Sequence, residues 1–137
     1  MRRIVFLVGY HNTGKTTLAE RLSEELTKRG YKVAYIKHDP KGHGRTDKEG
    51  SDTHRLFKIL NRVALLGAGK LTLWEKAEDD PIKVVERYFS DMDIVLLEGW
   101  KEIKGHKKIV LGDLPVDGYK VSKDTTLEEL IEYITKD

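Results

Sequence analysis

The sequence contains no cysteine among its 137 residues. This absence excludes disulfide bonds, thiolate metal sites, iron–sulfur clusters and cysteine nucleophiles. Any metal ligand or catalytic group of this protein must therefore come from residues other than cysteine.

Long hydrophobic runs and an excess of charge of one sign are also missing. No apolar segment approaches the length of a membrane span, and residues 1–3 lead directly into a strand-like run. We therefore expect a cytoplasmic protein with no membrane partner. Charged residues make up 35% of the chain, yet the formal net charge is only +2. A surface of mixed sign argues against a nucleic acid as the main partner.

The segment from Gly9 to Thr16 reads Gly-Tyr-His-Asn-Thr-Gly-Lys-Thr, which is the pattern of a phosphate-binding loop. Such a loop turns its backbone N–H groups around phosphate oxygens, and the following helix adds its positive N-terminal end. Lys15 is expected to reach the β- and γ-phosphates of a nucleotide, and the Thr16 hydroxyl to bind Mg²⁺. Lys15 is thus a candidate catalytic residue and Thr16 a candidate metal ligand.

The flanks of this segment agree with the interpretation. An apolar run precedes it at residues 4–8, and Leu18, Leu22 and Leu26 follow with helical spacing. We therefore place the phosphate loop at 9–17. The candidate nucleotide-binding residues are Gly9, His11, Asn12, Thr13, Gly14, Lys15, Thr16 and Thr17.

Strand-like apolar runs alternate with helical patterns along the chain. This alternation predicts an α/β fold with a mainly parallel sheet and helices on both faces. A length of 137 residues favours a single domain, so we expect one P-loop NTPase domain over 1–137. Strands beyond the first are predicted at 32–36, 62–66, 71–74, 94–97 and 108–111.

The middle of the chain predicts less regular structure. Residues 41–51 carry three glycines and many charges without periodicity, which is typical of an exposed, mobile loop. A short helix is expected at about 52–60. The two strand-like runs after it should form a hairpin or neighbouring segments.

Two further helices are predicted in the second half of the chain. Pro81 suits the first position of one of them. The side chains that this helix should bury are Val84, Val85, Tyr88 and Phe89. Thr125 and Glu128 stand at capping-box spacing before a C-terminal helix at about 126–135.

Acidic residues follow two of the predicted strands. Because ligands of parallel α/β sheets bind beyond the carboxyl ends of the strands, Asp39 and Glu98 are the candidate catalytic and Mg²⁺-binding carboxylates. Glu98 is favoured, since it follows a continuous apolar run; a solvated strand-end residue is the alternative for each. Asp93 begins the strand that Glu98 ends and should lie at the opposite edge of the sheet.

Other polar side chains give weaker signals. The five histidines match no zinc-site spacing. Arg45 and Arg55 could approach a γ-phosphate, although a solvated surface position is favoured for both. A basic cluster after residue 100 could meet an acidic ligand, with a solvated loop as the favoured alternative. Its members are Lys101, Lys104, Lys107 and Lys108.

Several short motifs stand in a particular order along the chain: the phosphate loop, Lys37-His38-Asp39, Asp47 to Asp52, Gly67-Ala68 and Asp93 to Gly99. Together they resemble the molybdopterin-guanine dinucleotide biosynthesis adapter proteins, the MobB family. The resemblance covers about residues 2–111. The loop alone is shared by many nucleoside triphosphatases, whereas the other motifs in this order are more particular to the family.

This resemblance implies a homodimeric protein that binds GTP and Mg²⁺ and assists the guanylyltransferase that attaches GMP to molybdopterin. The activity it implies is that of a weak GTPase at most, and a molybdopterin-type ligand is a further partner. The residues matching 9–17 would hold the nucleotide. Asp39 and Glu98 match the positions near metal and phosphate.

Two features leave alternatives open. The chain has no Asn-Lys-x-Asp sequence, so the residues alone do not choose between GTP and ATP. The stretch 112–123 departs from the short link that is usual in the family. The alternative function is a P-loop small-molecule kinase or an ATP-dependent ligase of the dethiobiotin synthetase kind, in which Lys37 and the basic cluster would hold an acidic substrate.

Overall fold

The computed structural model describes residues 3–42, 44 and 46–137. The chain forms two compact units, one of residues 1–38 with 81–137 and one of residues 39–80. The expectation of a single domain stays a prediction, as does the role of Arg45, which lies outside the described residues together with His43. Within the described part, no helix is long and apolar enough to cross a membrane.

The helices and strands follow the predicted alternation closely. The first unit contains β1 (Arg3–Val8), α1 (Lys15–Lys28), β2 (Val33–Lys37), α3 (Pro81–Tyr88), β5 (Ile94–Glu98), β6 (Lys107–Val110), β7 (Tyr119–Lys120) and α4 (Leu127–Thr135). The second unit contains α2 (Asp52–Phe57), β3 (Arg62–Gly67) and β4 (Lys70–Glu75). Strand β7 was not predicted and lies in the stretch 112–123.

The sheet of the first unit has the order β2-β5-β1-β6-β7, and every neighbouring pair is parallel. Strand β5 lies between β2 and β1, and all five of its residues are buried. A central strand of a parallel sheet is covered on both faces, which explains its continuous apolar run. The predicted mainly parallel sheet is confirmed.

Alternate residues of the strands pack into two separate cores. Val5 and Leu7 of β1 contact the core under α1 and α4, whereas Phe6 and Val8 contact the core on the face of α3. Helices therefore cover both faces, as predicted. The buried helical residues on the first face are Leu18, Ala19, Leu22, Leu26, Leu130, Ile131 and Ile134.

The cap of the C-terminal helix differs from the prediction by one residue. Thr126, not Thr125, is the N-cap: its hydroxyl accepts the N–H of Glu129 at 3.1 Å, and the Glu129 carboxylate accepts the N–H of Thr126 at 3.3 Å. The Thr125 hydroxyl accepts the N–H of Ser122 at 2.8 Å instead. Thr125 thus closes the turn before the helix, which leaves capping to Thr126.

Helix α3 begins at Pro81 as predicted, and Val85 is fully buried. Tyr88 was predicted to be buried, but it is 40% exposed. It lies in the last turn, where the Arg87 guanidinium sits 5.1 Å from its ring centroid. The apolar face of this helix is therefore narrower than its sequence suggests.

The second unit is built around an antiparallel hairpin of β3 and β4, which confirms that prediction. Helix α2 begins after Ser51, whose hydroxyl accepts the N–H of His54. Asp47 accepts hydrogen bonds from the Ser51 and Thr53 hydroxyls. Although its burial raises the pKa of Asp47, these bonds lower the pKa overall. The mobility of loop 41–51 stays a prediction.

Candidate functional site

The phosphate loop leaves β1 through a close backbone approach. A Cβ atom on Gly9 would lie 2.8 Å from the Leu111 carbonyl oxygen and 2.8 Å from the Thr13 hydroxyl, so only glycine fits there. The Thr13 hydroxyl donates to the Tyr10 carbonyl at 2.7 Å. This hydrogen bond joins the middle of the loop to its second residue.

The loop then turns into α1 through two residues in the left-handed region. Asn12 has φ 60° and Gly14 has φ 91°, and Gly14 is the N-cap of α1. The first turn of α1 holds no acidic residue. Its positive end is therefore not neutralised locally and is suited to an anion.

The Lys15 ammonium lies across the loop. Its Nζ atom donates to the carbonyl oxygens of Gly9 at 2.8 Å and Tyr10 at 2.9 Å. The Lys15 ammonium is therefore bound to the first two residues of the loop. Carbonyl oxygens are weaker acceptors than phosphate oxygens, so the ammonium can exchange them for a phosphate.

The structure brings Thr16 and Glu98 together, as the sequence led us to expect. The Thr16 hydroxyl donates to Glu98 Oε1 at 2.9 Å. Glu98 is only 5% exposed and ends β5, where it lies beside Leu7 of β1. The solvated strand-end interpretation of Glu98 is therefore wrong.

Two further residues at this carboxylate were not assigned to it from the sequence. The Tyr35 hydroxyl donates to Glu98 Oε1 at 2.6 Å, and Lys37 Nζ lies 3.8 Å from Oε2. Burial and the hydrogen bond to Glu98 raise the pKa of Tyr35. Tyr35 and Lys37 are two positions apart on β2, so they share one face of the strand. That spacing could have placed both side chains on one face of β2 from the sequence.

An aromatic pair supports the turn after Glu98. The His38 ring stacks on Trp100 with a centroid distance of 4.2 Å and an angle of 19°. The backbone N–H of His38 donates to the Glu98 carbonyl at 2.9 Å. Gly99, between Glu98 and Trp100 in the sequence, has φ 119°, and Trp100 has φ 54°. The turn after Glu98 thus has an unusual backbone conformation, held by packing.

The remaining candidates have other surroundings. Asp39 belongs to the second unit, where its carboxylate accepts the N–H of Gly44 at 2.7 Å; its role at Mg²⁺ stays a prediction. Arg55 forms an exposed ion pair with Asp52. Asp93 accepts the N–H of Lys32 at 2.8 Å at the start of β5. This confirms that Asp93 lies at the amino ends of the strands, on the side of the sheet opposite to Glu98.

The basic cluster divides into two parts. Lys101 and Lys104 are exposed, as the solvated-loop alternative expected, whereas the ammonium groups of Lys107 and Lys108 contact the backbone. Lys107 Nζ donates to carbonyl oxygens at the end of α4, including that of Tyr133 at 2.7 Å. Lys108 is 7% exposed, and its Nζ donates to the Lys101 carbonyl at 2.7 Å. The ammonium groups of Lys107 and Lys108 thus hold backbone carbonyls in place.

The chemistry of the site follows from its donor set. A threonine hydroxyl and a buried carboxylate lie at the end of a central strand, beside a lysine and the N-terminus of a helix. Hydroxyl and carboxylate oxygens suit Mg²⁺, which usually retains several waters and takes further ligands from phosphates. The residues present therefore fit a magnesium–triphosphate ligand.

Comparison with known proteins agrees with these features. The family model described as "Molybdopterin guanine dinucleotide synthesis protein B" (MobB) matches residues 4–132. A probable molybdopterin-guanine dinucleotide biosynthesis adapter protein of Bacillus subtilis is 36% identical over 116 residues, which are 80% of this chain and 65% of that protein. This chain thus spans slightly less than two thirds of that relative.

Two further comparisons cover more of the known proteins. The molybdopterin-guanine dinucleotide biosynthesis adapter protein of Haemophilus influenzae is 30% identical over 87% of this chain and 72% of its own length. The crystal structure of Bacillus subtilis MobB shares the fold with a TM-score of 0.71 at 23% identity, over 98% of this chain and 99% of that one. The chain belongs to the MobB family.

Proposed function

We propose that this protein is a GTP- and Mg²⁺-binding adapter that assists the guanylyltransferase step of molybdopterin guanine dinucleotide synthesis, with weak GTPase activity at most. The observation that carries the nucleotide and metal part is the 2.9 Å hydrogen bond between Thr16 and Glu98. The adapter part is supported by family membership and by the names of the relatives.

The Thr16–Glu98 contact favours metal binding because of its direction. The hydroxyl donates a hydrogen bond to Glu98, so the oxygen lone pairs of Thr16 remain available to a cation. Glu98 supplies negative charge and accepts hydrogen bonds from the groups around the ion. Mg²⁺, when bound, would neutralise phosphate charge, while Lys15 and the start of α1 would bind phosphate oxygens.

The alternative of a kinase or ligase loses part of its support. In that alternative Lys37 would hold an acidic substrate, but its ammonium faces Glu98 Oε2 at 3.8 Å. Lys107 and Lys108 donate to backbone carbonyls. Three of the five lysines that motivated a second substrate thus have partners within the chain, whereas Lys101 and Lys104 are exposed.

Titration of the purified protein with GTP and ATP, each with and without Mg²⁺, tests the proposal. We expect Mg²⁺ to tighten GTP binding by about tenfold or more and GTP to bind more tightly than ATP. Thr16→Ala should abolish the effect of Mg²⁺, because it removes the hydroxyl. Thr27→Ala, an exposed threonine on the same helix, is the matched control.

The result separates the competing functions. Equal, Mg²⁺-independent binding by wild type and Thr16→Ala would contradict the assignment of the site. In a separate assay over a panel of metabolites, rapid phosphate release that depends on one of them would favour the kinase or ligase. ATP binding as tight as GTP binding would contradict the guanine preference only.

A homodimer is part of the proposal, and the hairpin of the second unit is the surface we assign to it. Leu65, Leu66 and Leu71 are 57%, 79% and 64% exposed. Leu65 and Leu66 are consecutive on β3, so they point to opposite faces of the hairpin. A two-stranded hairpin with apolar residues on both faces is marginal alone. A second copy of this chain, which offers the same leucines, would cover it.

Light scattering coupled to size-exclusion chromatography tests this surface. Wild type should elute as a dimer and Leu66→Glu as a monomer, because the new carboxylate would have to be buried in an apolar interface. Ser90→Glu adds the same charge to an exposed position in the first unit and should remain dimeric. A monomeric wild type, or a dimeric Leu66→Glu, would reject the assignment.

A further inference from the structure

We infer that Tyr35 is a positioning residue for the Mg²⁺ site and acts through Glu98. This inference rests on the proposed function and adds a residue that the phosphate-loop pattern does not contain. Tyr35 lies on β2, a different strand from the one that ends in Glu98. The two strands are paired in parallel.

The hydrogen bonds divide the two oxygens of Glu98 between different partners. Oε1 accepts from the Thr16 hydroxyl at 2.9 Å and from the Tyr35 hydroxyl at 2.6 Å. Oε2 faces the Lys37 ammonium at 3.8 Å. The carboxylate plane is thus held from three directions, and the Thr16 hydroxyl proton is directed toward Oε1.

Tyr35 is the member of this set suited to fix geometry rather than charge. Its hydrogen bond to Glu98 is the shortest of the three contacts. The Tyr35 hydroxyl is carried by a rigid ring, whereas the Lys37 ammonium ends a long flexible side chain. The Lys37 side chain is 60% exposed, so water screens its attraction to Glu98. Loss of the tyrosine hydroxyl should therefore free Glu98 to rotate away from Thr16.

The position of Tyr35 also keeps it at the site and not merely in the core. Its side chain is 39% exposed, and it borders the same cleft as Thr16 and Ser23 of α1. A hydroxyl that holds a metal-site carboxylate in this way tunes the metal affinity of the groups it touches.

The test is a Mg²⁺ titration of GTP binding by calorimetry, with the wild-type protein, Tyr35→Phe and Tyr31→Phe. Tyr35→Phe keeps the ring and removes only the hydroxyl. We expect its half-saturating Mg²⁺ concentration to rise by about tenfold, with GTP affinity in the absence of Mg²⁺ unchanged within about twofold. Tyr31→Phe removes a hydroxyl beyond the other end of β2 and should match wild type.

The possible results distinguish this inference from the proposed function. Failure of the wild type to bind GTP with Mg²⁺ would overturn both. A wild type that responds to Mg²⁺ together with an unchanged Tyr35→Phe would overturn only the role of Tyr35. Equal losses of GTP affinity with and without Mg²⁺ in Tyr35→Phe would indicate a purely structural tyrosine and overturn it as well. Thermal unfolding of each variant shows that the comparison is made on folded protein.

Discussion

Gly99→Ala is expected to lower the free energy of unfolding by about 3 kcal/mol. The φ of Gly99 is 119°, a conformation that strains any residue with a Cβ atom, and that atom would lie 2.6 Å from the Cβ of His38. His38 has little freedom to retreat, because its ring stacks on Trp100 and its N–H donates to the Glu98 carbonyl. Denaturant unfolding of the variant measures the loss.

Gly105→Ala separates the collision from the backbone strain. Gly105 also has a positive φ, 87°, but a Cβ atom there would meet nothing within 4 Å. Its cost should be about 1 kcal/mol, from the left-handed conformation alone. If Gly99→Ala costs no more than Gly105→Ala, the contact with His38 does not constrain this turn. A larger loss accompanied by weaker Mg²⁺-dependent GTP binding would link the turn to Glu98.

The sequence located the parts of the site that depend on local patterns. The phosphate loop follows one strand and Glu98 ends another, and both positions are readable from apolar runs and their ends. In a parallel sheet the carboxyl ends of adjacent strands lie at one edge, so β1 and β5 bring the loop and Glu98 together. Position at the strand ends was sufficient, because the carboxyl ends of all strands in a parallel sheet lie on the same side.

The contact of Tyr35 with Glu98 could not be predicted in the same way. These residues are 63 positions apart. They meet only because β2, the outermost strand of the sheet, pairs with β5. Lys107 and Lys108 are a similar case, since an inward position depends on where the end of α4 and the loop at Lys101 come to lie. Amphipathic side chains such as lysine can be buried along their stems, so charge alone does not place them in solvent.

The cap of α4 shows a different limit, one of local ambiguity. Both Thr125 with Glu128 and Thr126 with Glu129 have the spacing of a capping box. The choice between them depends on the preceding turn, in which the Thr125 hydroxyl accepts the N–H of Ser122. Local pattern therefore identified the helix but not its first residue.

Lys15→Ala is expected to weaken GTP binding by about 100-fold or more, the largest effect on function among the substitutions considered. The ammonium is the only cation held inside the described phosphate loop, where it donates to the Gly9 and Tyr10 carbonyls. After the substitution those two carbonyl oxygens can accept hydrogen bonds from water instead. The phosphates of a bound nucleotide would lose their counter-charge. The unfolding free energy should therefore change by only about 1 kcal/mol.

Lys28→Ala is the matched control for this substitution. Lys28 ends the same helix, its side chain is 71% exposed, and its nearest charged partner, Glu24, lies 3.9 Å away. Its removal should leave GTP affinity unchanged, because the negative end of α1 is far from the loop. Calorimetry on both variants measures the difference in affinity, and denaturant unfolding shows whether the fold is retained. A folded Lys15→Ala that binds GTP as tightly as Lys28→Ala would mean that the loop does not hold the triphosphate.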